Sequence, residues 1–159
     1  MLKWIDFTWI AVAAFLYHPE KWFLFGMRTE NCRDEPHVWE NRWGWLKFGE
    51  TIQWAMMREL TEESGRTFDT TQIHSLGYRE QVREHEGQKT HRIVFYHLII
   101  LTGDEDIRNM EADKRAGMQF FPADALPPRE QCLSILYPTL SDFRESIEDL
   151  IETRLSLEQ

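Results

Sequence analysis

Three carboxylates, Glu59, Glu62 and Glu63, stand at i, i+3 and i+4 in the stretch Arg58-Glu59-Leu60-Thr61-Glu62-Glu63. On a helix each residue advances about 100°, so all three fall on one side within about one turn. Negative charges that close repel one another and drive one group to keep its proton. A hard divalent cation reverses the balance, because Mg²⁺ takes oxygen ligands and keeps several waters. Such an ion can bridge acidic side chains to phosphate and lower the pKa of a bound water. The chemistry on offer is hydrolysis at phosphorus, with a carboxylate to take the proton. An acidic cluster of this spacing is more often a solvated helix face than a site, so the surrounding pattern has to decide.

That pattern is long. Gly44 is followed after five residues by Glu50, after seven more by Arg58-Glu59-Leu60, and then by Glu62-Glu63 and Gly65. From average residue frequencies, a chance match is roughly one in a billion per starting position. The segment from Gly44 to Gly65 resembles the Nudix box in all but its last position, where Arg66 stands in a usually apolar place. The resemblance implies a hydrolase that cleaves nucleoside diphosphates linked to another moiety. It implies that Glu59, Glu62, Glu63 and the Gly44 carbonyl bind Mg²⁺, with Mn²⁺ as an alternative. It also implies that Glu59 orients or deprotonates water, and that Glu50 and Arg58 pair to fix the loop against the helix. Arg28 sits where several members of the family place a phosphate-binding arginine. Some place the base in a loop outside the box, for which Asp104, Glu105, Asp106 and Glu111 are candidates here. Arg42 and Trp43 replace the usual small residues before Gly44, which bears on activity more than on fold.

These residues need elements to hold them. Thr51 is a plausible N-cap and Gly65 a left-handed C-cap, giving a box helix over about 51–64. Ile52, Ala55, Met56 and Leu60 form its apolar stripe and should pack on a sheet. Thr8 to Tyr17 and Trp22 to Met27 read as strands joined by a turn at His18-Pro19-Glu20-Lys21. Gln72 to Glu84, His91 to Leu101 and Gly117 to Phe121 read as further strands, with His91 to Leu101 covered on both faces. Arg28 to Val38 and Thr102 to Ala116 read as loops. A closing helix over about 137–156 carries Leu140, Phe143, Ile147, Leu150 and Ile151 at helical rhythm. The order predicts an α+β chain with a mixed sheet. It fits the α/β/α sandwich of the Nudix type, with residues 1–159 as a single domain.

Composition bounds the partners. The chain has 159 residues, net charge −9, 42% apolar and 28% charged residues, as expected of a globular protein rather than a disordered one. An acidic chain without a gathered basic face disfavours long nucleic acid but not small phosphorylated substrates bridged by a cation. The apolar run from Ile10 to Tyr17 is too short to span a bilayer. Two distant cysteines, Cys32 and Cys132, suggest reduced thiols, and the cytoplasm is the expected compartment. A second reading uses the aromatic load. Trp43, Trp45, Trp54 and Met57 are candidates for a contact surface, selected or engineered, that would bind a second copy or another protein. Trp43 is also a candidate to stack on a nucleobase.

Overall fold

The computed structural model describes residues 8–85, 87–103 and 105–157. Its centre is β1 (Thr8–His18), an apolar, β-branched and aromatic strand whose residues from Ala11 onward are buried. A turn closed by His18 Nδ1, which accepts from the Glu20 and Lys21 amides at 3.0 and 3.2 Å, leads into β2 (Trp22–Arg28). Next come two short strands, β3 (Trp39–Glu40) and β4 (Arg42–Trp45), and then α1 (Ile52–Ser64). The long hairpin β5 (Ile73–His85) and β6 (Gln88–Ile100) follows, then β7 (Arg115–Phe121) and α2 (Leu136–Leu157).

The seven strands form one mixed sheet with the path β3-β2-β1-β6-β5, β4 joining β1 and β7 joining β2. β1 pairs with β6 in parallel from Thr8↔His91 to Tyr17↔Ile100. Parallel neighbours require a crossover, and here the chain between them contains α1. The other edge of β1 is shared. β2 takes its C-terminal end at Leu16↔Leu24, while β4 takes its middle, from Ala11↔Trp45 to Ala14↔Arg42.

Because side chains alternate along a strand, β1 feeds two cores. Ala11, Ala13, Phe15 and Tyr17 join the cluster packed under α2, with Leu140, Phe143 and Ile147. Val12, Ala14 and Leu16 join the cluster under α1, with Ala55, Met56 and Leu60. The sheet is therefore sandwiched between the helices, an α+β arrangement of the expected type.

The box helix ends where its caps demand. Thr51 Oγ1 accepts from the Trp54 amide at 3.2 Å, and Gly65 adopts φ 68°, its amide reaching the Thr61 carbonyl. Several boundaries differ from expectation, among them the second hairpin, where β6 begins at Gln88 rather than His91 because the pairing continues to His85↔Gln88. β7 begins at Arg115 rather than Gly117, because Arg115 pairs with Arg28 past a shift of register at Met27/Arg28. α2 begins at Leu136, with Pro138 inside its first turn, where a missing N–H costs nothing. Cys32 and Cys132 are both free thiols. Among the described residues no helix is long and apolar enough to cross a membrane.

Candidate active site

The box is assembled where α1 crosses β4. Gly44 lies in β4 opposite Val12, so its Cα faces the α1 side of the sheet. The Glu59 carboxylate rests directly on it: a Cβ at residue 44 would lie 1.9 Å from Glu59 Cδ. The glycine that opens the pattern and its first helical carboxylate are thus in direct contact. Only a residue without a side chain permits that approach.

Arg58 is the hub beside them. It grips Glu50 with two parallel bonds, Nε to Oε1 at 2.6 Å and Nη2 to Oε2 at 2.9 Å. Nη2 also donates to the Trp45 carbonyl at 2.9 Å. Nη1 donates to Glu59 at 2.6 Å and to Glu62 at 3.1 Å. This fork holds the Glu50 carboxyl down at about 2, aided by the Lys47 amide. The expected pairing of Glu50 with Arg58 is therefore present, and it ties the loop before α1 to the helix.

The three box carboxylates do not converge as expected. Arg58 links Glu59 to Glu62, and Glu62 is half exposed, with Lys47 at 3.7 Å. Glu63 turns inward. It follows Met56 by seven residues and Leu60 by three, so it lies on the buried stripe, and it is 2% exposed. Its partners are Arg115 of β7 at 2.7 Å and Arg42 of β4 at 3.8 Å. Burial pushes the Glu63 carboxyl up to about 7 against the pull of those arginines. Burial also raises Glu59, opposed by Arg58. Among the described residues no three His, Cys, Asp or Glu side chains stand ready to hold a metal ion.

The donor chemistry nonetheless suits a hard cation. Glu59 abuts the Gly44 backbone, and Glu63 Oε2 is a buried oxygen without a hydrogen-bond donor. Arg58 would remain anchored by Glu50 and the Trp45 carbonyl if Glu59 and Glu62 turned to a metal.

Arg28 is buried, and each of its guanidinium nitrogens is engaged. Nη1 meets Glu40 at 2.5 Å, Nη2 meets Asp34 at 3.0 Å, and Nε meets the Glu35 carbonyl at 3.0 Å. A phosphate contact would have to displace Asp34. Trp43 donates to Glu40 at 3.1 Å and, with Arg28, lines a cavity of about 40 Å³. That holds a few waters and is well below the several hundred Å³ of a ligand pocket.

Nor do Trp43, Trp45, Trp54 and Met57 make one surface. Trp43 and Trp45 meet edge to face at 5.4 Å on the α2 side of the sheet, where Trp43 packs into the core. Trp54, 72% exposed, and half-buried Met57 lie on the outer side of α1, across the sheet from them.

Of the loop acids, Glu105 is spent on its own loop. It accepts from the Thr102 and Gly103 amides at 2.6 and 2.8 Å, and these bonds overcome burial to hold it at about 2. Asp106 pairs with Arg108 at the surface, and Asp104 lies outside the described residues. Glu111 does reach the site, meeting Arg115 at 2.6 Å. The loop is docked on the end of α1, the Met110 and Arg108 amides donating to the Glu63 and Ser64 carbonyls at 3.1 Å each. Sequence reasoning missed Arg115 and Glu40, since neither carries a local signal.

A family model described as NUDIX domain matches residues 8–140. No curated protein matches the chain. Similar solved structures include a MutT NUDIX hydrolase from Burkholderia pseudomallei. It is 20% identical with a TM-score of 0.66, covering 77% of this chain and 88% of that one. The MutT protein from Methanosarcina mazei Go1 is 19% identical with a TM-score of 0.66, covering 87% and 94%. A bifunctional NMN adenylyltransferase/ADP ribose pyrophosphatase from Francisella tularensis is 17% identical with a TM-score of 0.60, covering 88% of this chain and 41% of that one. At these identities the structures speak to the fold. The family match spans both Gly44 and Gly65, the ends of the segment built around Glu59, and by it the chain belongs to the NUDIX domain family.

Proposed function

We propose that this Nudix-type pyrophosphohydrolase cleaves, with Mg²⁺ or Mn²⁺, a diphosphate bond in a nucleoside di- or triphosphate or a nucleoside-diphosphate derivative. The observation that carries the reading is the contact of Glu59 with Gly44, beside the Arg58–Glu50 clamp. MutT and ADP-ribose pyrophosphatase structures share the fold and favour a small phosphorylated substrate of this class. We read the chain as one domain, since a single sheet lies between α1 and α2 and carries Gly44 beneath the box helix.

Glu59, Glu62 and the Gly44 carbonyl would hold the cation, with Glu63 contributing through Oε2, which accepts no hydrogen bond among the described residues and has the Arg42 guanidinium nearby at 3.8 Å. The cation would neutralise phosphate charge and make a water more acidic. Glu59 would accept the proton of the attacking water; burial raises its carboxyl above the ordinary value, opposed by Arg58. Arg58, fixed by Glu50, holds the Glu59 rotamer. Glu111 is the second carboxylate within reach of the same seam and is the alternative base.

The test is a panel of nucleotides and nucleotide sugars with Mg²⁺, Mn²⁺ or chelator, following phosphate and pyrophosphate release. Glu59→Gln should lower turnover by about 10²–10⁴-fold without changing the melting midpoint. Metal-independent turnover, or a Glu59→Gln protein as active as the wild type, overturns the proposal.

A further inference from the structure

Arg115 serves no role yet assigned, although it touches three carboxylates from three elements. Nη2 meets Glu63 of α1 at 2.7 Å, Nη1 meets Glu111 of the preceding loop at 2.6 Å, and Nε lies 3.3 Å from Glu40 of β3. The guanidinium is 3% exposed. Two nitrogens of a rigid planar fork thus donate to different acids while the third lies close to another without a hydrogen bond, a geometry that lysine cannot supply.

The backbone makes room for it. The Arg115 stem lies across Gly26 of β2, where a Cβ would come within 2.7 Å of Arg115 Cδ. Arg28 neutralises Glu40 from the far side at 2.5 Å, and Arg42 lies 3.8 Å from Glu63. Charges of alternating sign therefore run from the loop after β2 to the box helix. Such a buried array is poor evidence for a stability role, because apolar side chains of similar volume usually stabilise as well or better. What apolar packing cannot do is hold two carboxylates in fixed rotamers beside Glu59.

Resting on the hydrolase reading above, we propose that Arg115 is a positioning residue that orients Glu63 and Glu111 toward the cation site, through a place kept open by Gly26. It fixes one oxygen of Glu63 and leaves Oε2 without a donor. It also closes the loop that delivers Glu111, since the Arg115 amide donates to the Glu111 carbonyl at 2.9 Å. Arg115 touches neither substrate nor metal. It acts through the carboxylates it holds.

The experiment titrates Mn²⁺, read by electron paramagnetic resonance without substrate, into the wild type, Arg115→Lys and Gly26→Ala. Folding is checked by near-UV circular dichroism. Gly26→Ala displaces the fork without removing any charge and guards against loss of fold in Arg115→Lys. Both variants should bind Mn²⁺ about 10–100-fold more weakly, as is usual when a partner of a metal ligand is lost. In turnover with saturating Mg²⁺, kcat should fall while KM for the nucleotide holds. Folded variants that bind Mn²⁺ as the wild type does overturn the role of Arg115, as does full rescue by lysine. A wild type with no Mn²⁺ affinity instead overturns the metal-dependent hydrolase reading, and this inference falls with it.

Discussion

Gly44 shows most directly how one residue type governs this site. An added methyl would overlap the Glu59 carboxylate at 1.9 Å, but that carboxylate is the far end of a flexible side chain and can move away by giving up its bond to Arg58. Gly44→Ala should therefore keep the fold, costing about 1 kcal/mol of overpacking, while losing turnover to the level of Glu59→Gln. An activity assay paired with urea unfolding separates the two effects, and a fully active Gly44→Ala protein would show that the contact is dispensable. Glu50 makes a second claim at this scale. Its folded pKa of about 2 lies below its ordinary 4.5, the Arg58 fork being the chief cause. The stabilisation is present above pH 4.5 and is lost as pH falls from about 4.5 toward 2. Between pH 5 and 3 the wild-type melting midpoint should thus fall more steeply than that of Glu50→Gln. Parallel melting curves across that window would deny the clamp its energetic role.

At the scale of elements, α1 serves two surfaces. Its inner stripe of Ala55, Met56 and Leu60 is buried, and the stripe continues into Glu63. The outer side presents Trp54 to solvent. Trp54→Glu should leave stability within about 0.5 kcal/mol, as for a surface site away from packing, measured by the urea midpoint. A loss of several kcal/mol would reveal a contact that the exposed position does not show. The caps of α1 were legible because Thr51 and Gly65 act through their own backbone neighbours. The inward turn of Glu63 was not. Its helical phase matches both the acidic cluster and the apolar stripe, and only the arrival of Arg115 and Arg42 from two strands makes burial of the charge tolerable.

The whole molecule is organised by β1, which is buried on both faces and feeds both cores. Phe15 is fully buried, stacked on Tyr96 at 6.1 Å and edge-on to Phe23 at 6.5 Å. Phe15→Ala should cost about 3–5 kcal/mol, read by denaturant unfolding. The same strand places Gly44 on the α1 side and Trp43 and Trp45 on the α2 side, through its pairing with β4. That register divides the four residues proposed as one contact surface between opposite sides of the sheet. It also separates Trp43 from Glu59.

Local order along the chain determined the box helix and its ends, the first hairpin and the closing helix, while the Arg58–Glu50 pair followed from the resemblance to the Nudix box. Each of those elements depends on residues within a few turns or on a periodicity that survives in one dimension. Tertiary structure alone decided that Arg28 is enclosed by Glu40 and Asp34, that Glu105 caps its own loop while Glu111 reaches the site, and that Arg115 gathers acids from β3, α1 and the loop. Those outcomes depend on which buried charges meet across the sheet. Desolvation makes an unpaired buried charge so costly that partners far apart in sequence select one another only once the strands are in register.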